Sequence, residues 1–367
     1  MNTNLKAVGK QIARWKIESK EELELAYNAD MSISERKKYC DFYRENDQQY
    51  YDKGVEMAKA VIRNHGGVDG LTEEYLIEDM IYCLHRFGFS YDEYFWFKLY
   101  NLSTYGREGF ISDKMRYEYY MELNTNDGMN LLRDKWRAYE RLKDFYKREC
   151  CAVYTVNDKE KFEDFRRKHT RFFYKPLASD SAKNCCVMEA LDISFEKVFN
   201  AGPFIMEELI QQSGDFAEFY PDAVNLIRIP VLTTRDGEVH LMGPFLTFGQ
   251  NDMRAVNAGA GGIIATIDPD SGVVIGNGWV EKNEVEYFDH PQTKKRINGY
   301  HIPDWDEAVK ICKEASKLIP ECKYIGFDLA QTKEGWIIIE ANCYAQFLGQ
   351  RNTKGLRREM LDYLEEI

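Results

Sequence analysis

Near its C-terminus the chain reads Gly326-Phe327-Asp328-Leu329-Ala330, then a short polar turn, then Ile337-Ile338-Ile339-Glu340-Ala341-Asn342. Two β-rich runs joined by Thr332-Lys333-Glu334-Gly335 predict a tight hairpin with Asp328 across from Glu340. Asn342 lies two residues further on and shares the face of Glu340, because strand side chains alternate with period two. Three oxygen donors on one rigid sheet suit a hard cation such as Mg²⁺. That ion prefers octahedral oxygen ligands and keeps waters and substrate phosphates in the remaining positions. The hairpin therefore requires a sheet with one polar face and points to an ATP-using enzyme.

Composition narrows the alternatives. A length of 367 residues allows a sizeable core in on the order of two or three domains. The net charge of -12 argues against a general nucleic-acid or anionic-membrane binder, which would present a basic face. The nine cysteines include the adjacent pairs Cys150-Cys151 and Cys185-Cys186 and show no CxxC spacing. Reduced thiols in a cytoplasmic protein are expected rather than a disulfide framework or zinc site. Met1 to Glu24 is charged throughout, and no apolar run approaches about 18 residues, so neither a signal peptide nor a membrane span is expected.

The first third reads as helical. Ser19-Lys20, Ser34-Glu35 and Thr72-Glu73-Glu74 each set a hydroxyl residue before an acidic or charged first turn. From about Tyr82 to Tyr120 the chain is aromatic-rich, and without interleaved basic residues these rings are expected to form core. Near residue 150 the texture changes to short β-branched and aromatic runs: Ala152 to Val156, Arg171 to Tyr174, Pro203 to Glu207, Ala223 to Thr233, Val239 to Phe248 and Gly262 to Ile267. An amphipathic helix from Asp304 to Leu318 is bracketed by Pro303 and Pro320. The expected fold class is α+β, in two packed lobes behind a helical, aromatic-rich N-terminal region.

Four further pieces carry chemistry. Lys175 ends an apolar strand before Pro176, Asp134-Lys135 opens a charged helix, and Glu207-Glu208-Leu209-Ile210 closes another strand. Arg228 lies between Ile227 and Ile229 inside an apolar strand, and such a guanidinium needs an anionic partner, either protein or phosphate. In this order, with Asp328, Glu340 and Asn342, these residues resemble the ATP-grasp superfamily. Phe204 to Gln212, Ala223 to Ile229, Val256 to Ile263 and His290 to Thr293 resemble more specifically the sugar-transfer-associated ATP-grasp family, over roughly residues 90 to 360.

The resemblance implies an ATP-grasp fold with three parts. These are a helical region (1–130), a lid lobe (131–205) and a C-terminal lobe with the Mg²⁺ site (206–367). It implies that Lys135 and Lys175 hold ATP phosphates, that Glu207, Glu208, Leu209 and Ile210 form the adenine hinge, and that Asn225 contacts the ribose. Asp328, Glu340 and Asn342 would bind one or two Mg²⁺ ions. The implied activity is an ATP- and Mg²⁺-dependent carboxylate–amine ligase acting through an acyl phosphate. Its substrates would be a small carboxylate, such as a cell-surface sugar acid, and an amine or amino acid. Two other readings are a phosphotransferase acting on a hydroxyl and a non-catalytic nucleotide-binding protein.

Two departures accompany the resemblance. The segment Leu177 to Asn184 after Lys175-Pro176 has no glycine, so Ser179, Ser181 and Lys183 would have to meet the phosphates. Gly326 stands where many peptide-forming relatives place an arginine, which leaves Arg228 and Arg254 as candidates to stabilise the acyl phosphate. The glycines at 259, 261 and 262 read equally as a phosphate loop or a plain turn. His290 and His301 read as packing or surface residues, and Cys343 as core.

Overall fold

A computed structural model describes residues 33–177, 185–283 and 285–365. Its first part is helical: α1 (Ile33–Asn46), α2 (Gln48–His65), α3 (Glu73–Phe87), α4 (Tyr91–Trp96), α5 (Thr104–Glu108), α6 (Asp113–Leu123), α7 (Asn126–Arg133) and α8 (Lys135–Tyr146). Thr72 caps α3 as expected, its hydroxyl accepting from the Tyr75 N–H at 3.2 Å. Ser34 instead falls one residue inside α1, and the start at Ser19 lies outside the described residues. The aromatic run is core: Tyr82, Phe87, Phe89, Tyr94, Phe95 and Phe97 bury together with residues of α1 to α3.

A four-stranded antiparallel sheet follows, built from β1 (Cys150–Val153), β2 (Arg171–Pro176), β3 (Cys186–Glu189) and β4 (Phe204–Glu208) in the order β1-β4-β2-β3. Period-two alternation divides its faces. Phe172, Tyr174, Phe204 and Met206 pack into one cluster with Phe162 and Phe165 of α9 (Lys159–Lys168) and Phe195 of α10 (Phe195–Phe199). Lys175, Ile205 and Glu207 take the other face, toward the rest of the protein.

The short helix α11 (Gly214–Ala217) leads into an eight-stranded sheet. Its strands are β5 (Leu226–Thr233), β6 (Val239–Leu241), β7 (Phe245–Phe248), β8 (Ile263–Ile267), β9 (Val274–Trp279), β10 (Glu286–Tyr287), β11 (Tyr324–Thr332) and β12 (Gly335–Asn342). The order is β10-β9-β8-β7-β5-β11-β12, with β6 beside β5. The run Val239 to Phe248 is two strands rather than one. Gly243, at φ +67°, turns the chain, and Pro244 lacks the N–H a continuous ladder would use. α8 and α12 (Trp305–Lys317) pack on β12 and on each other, and α12 also covers β5.

The helical region is pinned to the large lobe by buried polar groups. Glu108 of α5 pairs with Arg86 of α3 at 2.7 Å and with Arg357 of α13 (Arg357–Leu364) at 2.6 Å. The Gln350 side chain donates to the Ile111 carbonyl at 2.9 Å and accepts from its N–H at 2.7 Å. At the same seam Gly355, at φ +82°, lies so close to Gly109 that a Cβ would meet the Gly109 carbonyl oxygen at 2.0 Å. No described helix is long and apolar enough to cross a membrane, and the nine cysteines stand as thiols outside any disulfide.

A second seam joins the two sheets. In the hairpin β11–β12, Asp328 pairs with Glu340 but Leu329 pairs with Ile338, so Ile339 is an extra, bulged residue. Arg148, just before β1, uses the carbonyls at this bulge. It donates to Ile338 O at 2.7 Å and Ile339 O at 3.0 Å, and also to Glu207 Oε2 at 2.8 Å. Glu207 Oε1 in turn pairs with Lys175 Nζ at 2.7 Å. Burial alone would raise the Glu207 carboxyl, but Lys175 and Arg148 outweigh it and hold the group at about 2.

Two outcomes follow from these seams. Replacing Glu108→Gln strands two buried guanidinium groups and should lower stability by about 3–5 kcal/mol in urea unfolding. A loss under about 1 kcal/mol would place the pair among dispensable contacts. Because the folded Glu207 carboxyl is depressed, its contribution is present above the ordinary value of 4.5 and is lost as pH falls through about 2. The urea midpoint of the wild type should therefore fall across that window more steeply than that of Glu207→Gln, and parallel profiles would contradict the assignment.

Candidate functional site: a carboxylate hairpin at the lobe seam

The hairpin places its three predicted donors together. Asp328 and Glu340 are direct cross-strand partners, and Asn342 lies opposite Gly326. Asp328 is buried, whereas Glu340 and Asn342 are half-buried. The Asn342 amide donates to Asp328 Oδ2 at 3.3 Å. On the other side of β11, strand β5 sets Arg228 opposite Asp328. The guanidinium grips that carboxylate through two bonds of 2.6 Å, Nε to Oδ1 and Nη2 to Oδ2. The anionic partner required by an arginine in an apolar strand is therefore a protein carboxylate.

Glu340 differs from Asp328. Its side chain makes no hydrogen bond or ion pair among the described residues. Burial pushes its carboxyl up, with Asp328 adding to the rise, while Lys175, Lys135 and Arg228 pull it down. The same three cations that flank it were proposed from sequence order, and the fold brings them to one place. Lys175 comes from the end of β2 and Lys135 from the first turn of α8, where Asp134 caps the helix by accepting from the N–H groups of Trp136 and Arg137 at 3.1 and 3.2 Å.

These residues fit a hard divalent cation. The donor set is all oxygen, and Glu340 makes no hydrogen bond or ion pair among the described residues. The Asp328 oxygens accept three hydrogen bonds out of about four lone-pair positions. Among the described residues there is no cluster of three or more His, Cys, Asp or Glu able to hold a metal. Any ion here would thus rest on two carboxylates, an amide and outside ligands, as Mg²⁺ accepts.

Other expectations need correction. Asn225 is fully buried and cannot reach a ribose. Its amide donates to the Phe216 and Tyr220 carbonyls at 3.0 and 3.2 Å, and its oxygen accepts from Gly249 N–H at 3.2 Å. It ties α11 to the end of β7. The Glu207 side chain is spent on Arg148 and Lys175, so it is not free to read a base. Glu208 accepts from the Glu149 N–H at 3.1 Å, and Leu209 and Ile210 follow, half-buried, beyond the end of β4.

Ser179, Ser181 and Lys183 lie outside the described residues. Arg254 is exposed in the turn after β7 and makes no ion pair among the described residues. The glycines at 259, 261 and 262 form a turn that Asn257 caps before β8. His290 is fully buried, bonding to Gly249 O at 2.8 Å and to Thr293 Oγ1 at 3.1 Å. His301 is exposed. Cys343 is buried, with its thiol against Met129 O. Arg148 was not anticipated. It stands in the charged stretch Lys147-Arg148-Glu149, and nothing local separates it from a solvated residue, because its partners come from β4 and β12.

Comparison with known proteins gives three findings. Residues 194–363 match the family model described as sugar-transfer associated ATP-grasp. Lys135 and Lys175 lie upstream of that match. Among curated proteins none matches the chain by sequence. Among solved structures, the fold is similar to the ATP-grasp ligase PsnB complexed with minimal precursor, at 16% identity and TM-score 0.42, covering 67% of this chain and 64% of that one. It is also similar to the VanG D-Ala:D-Ser ligase from Enterococcus faecalis, at 17% identity and TM-score 0.42, covering 66% of this chain and 63% of that one. A D-alanine–D-alanine ligase from Bacillus anthracis matches at 10% identity and TM-score 0.41, covering 66% and 69%. The chain thus spans slightly less than two thirds of the length of the first two. The matched stretch, 194–363, is slightly under half of the chain and holds Glu207 to Ile210, Arg228 and the three hairpin donors.

Proposed function

We propose that the protein is an ATP- and Mg²⁺-dependent ligase that activates a small carboxylate as an acyl phosphate and joins it to an amine. The observation that carries this reading is the pair Asp328–Glu340 with Asn342, set in the field of Lys175, Lys135 and Arg228 where the lobes meet. Asp328, Glu340 and Asn342 would hold one or two Mg²⁺ ions. Held there, Mg²⁺ would supply charge neutralisation for the nucleotide phosphates.

Lys135 and Lys175 neutralise the remaining phosphate charge. Lys175 does so by giving up part of its bond to Glu207, and Arg148 keeps Glu207 compensated during that exchange. The backbone at Leu209 and Ile210, beside Glu208, meets the adenine, and Ser179 and Ser181 cover the phosphates. A substrate carboxylate oxygen attacks the γ-phosphorus in line while the bond to the β–γ bridging oxygen breaks and ADP leaves, so the work of the residues is positioning and charge compensation. Arg228, with Arg254 as second candidate, stabilises the acyl phosphate until an amine displaces phosphate. The family description favours a sugar acid as the carboxylate and a place in cell-surface polysaccharide synthesis, in the cytoplasm. In this reading 131–205 is the lid, 206–367 the catalytic lobe, and the helical region a wall on the acceptor side.

Asp328→Asn and Glu340→Gln, in folded protein, should each cut ATP-dependent hydroxamate formation by about 10²–10³-fold. The assay combines a panel of uronic and amino acids with hydroxylamine as trap. Wild-type rates in either variant would remove the metal assignment. A phosphorylated acceptor in place of hydroxamate would replace the ligase with a phosphotransferase.

A further inference from the structure

Beyond Asn342 the chain stays on the donor face of the hairpin. Tyr324, Gly326 and Asp328 alternate onto one face of β11, and the loop 343–347 folds back onto it. A Cβ on Gly326 would stand 2.3 Å from the Ala345 Cβ and 3.8 Å from Arg228 Cδ, so the glycine leaves the space that Ala345 takes beside Arg228. The Tyr324 hydroxyl donates to the Ala345 carbonyl at 3.2 Å, and its ring stacks on Phe347 with centroids 5.2 Å apart. Arg116 of α6 donates through Nη1 to the Tyr344 carbonyl at 2.7 Å, and the Cys343 thiol lies against Met129 O of α7. These contacts fix the loop against the sheet.

The Tyr344 side chain is set between α6 and α7. Its ring meets that of Tyr120 edge-on, with centroids 4.5 Å apart, and is left half-exposed. The guanidinium of Arg133, one turn after Met129 at the end of α7, lies over the same ring at 6.0 Å. Arg133 is exposed and makes no ion pair among the described residues. The acid next to it, Asp134, is engaged elsewhere. Its carboxylate caps α8 and accepts from the Tyr154 hydroxyl at 3.1 Å. Arg133 precedes Lys135 by two residues and Tyr344 follows Asn342 by two. The pair thus sits where the segments carrying a candidate phosphate lysine and a candidate metal donor pack together.

An accessible guanidinium without a carboxylate, beside a half-exposed aromatic ring on a fixed loop, suits an organic anion with a ring-shaped body. The guanidinium fork takes the carboxylate and the aromatic ring takes the body. A metal ion or an organic cation would be repelled by Arg133, and inorganic phosphate would leave the ring unused. We infer that Arg133 and Tyr344 form the seat of the carboxylate substrate, and that this substrate is a ring-bearing acid of the sugar-acid kind. The inference rests on the ligase reading. It adds residues that select the carboxylate to those proposed to hold ATP and Mg²⁺.

The test uses D-glucuronate as the probe, titrated by calorimetry into the full chain in the presence of Mg²⁺ and AMPPNP, and soaked into crystals of the same mixture. The expected result is a glucuronate carboxylate in hydrogen-bond contact with the Arg133 guanidinium and its ring against Tyr344. Glucuronate binding should weaken by about tenfold in Arg133→Gln and again in Tyr344→Leu. AMPPNP·Mg²⁺ affinity, which also reports that each variant is folded, should stay unchanged. No glucuronate at Arg133 in the wild type, or undiminished binding by either variant, overturns the inference. Weaker AMPPNP·Mg²⁺ binding in Arg133→Gln with glucuronate binding kept would assign Arg133 to the phosphates and overturn it as well. Failure of the wild type to bind AMPPNP·Mg²⁺ would instead overturn the ligase reading, and the glucuronate result would still judge Arg133 and Tyr344.

Discussion

The site depends on one buried carboxylate, Glu207, shared between two cations from different elements. Lys175 comes from the end of β2 and Arg148 from the approach to β1, and Arg148 also spans to the large lobe through the bulge carbonyls of Ile338 and Ile339. Taking any of these three charges from water is costly, and the cost is offset only when the partners are present in this geometry. The network therefore sets the register between the sheets. With that register set, the Lys175 ammonium acts on Glu340 and pulls its carboxyl down against burial, so a candidate phosphate lysine and a candidate metal carboxylate share one electrostatic neighbourhood.

Within the large lobe the same economy applies to Arg228 and Asp328. Their strands are adjacent and antiparallel, and the pairing of residue 228 with 328 makes the bidentate contact a direct result of strand register. Glu340 is left without a direct ion pair among the described residues, so the hairpin combines one acid bonded to a guanidinium and one acid that only more distant cations act on. The bulge at Ile339 separates these roles. It leaves Glu340 opposite Asp328 and turns two carbonyls toward Arg148 instead of a neighbouring strand.

Much of this was legible in the sequence because it is local. A hairpin with a four-residue turn fixes Asp328 against Glu340, and alternation adds Asn342. The aromatic run from Tyr82 was readable as core for the same reason, and Thr72 as a cap. What was not legible came from long-range partners. Arg148 looks like a solvated charge until β4 and β12 meet it. Asn225 has a polar side chain just before β5, yet it is fully buried and its bonds go to Phe216, Tyr220 and the residue after β7. Gly243-Pro244 was within reach of sequence reasoning, since proline interrupts a ladder, but the flanking β-rich residues masked the break. β3, β9 and β10 are short or rich in glycine and polar residues, and carry little periodic signal.

The central claim is that Asp328, Glu340 and Asn342 form a cation site completed by nucleotide phosphates. Electron paramagnetic resonance of Mn²⁺, used in place of Mg²⁺, measures this directly. The account predicts that ADP and wild-type protein together immobilise Mn²⁺, that neither does so alone to the same extent, and that Glu340→Gln abolishes the bound spectrum while the fold is kept. Mn²⁺ bound equally by wild type and Glu340→Gln, or not bound by the wild type with ADP, would contradict it.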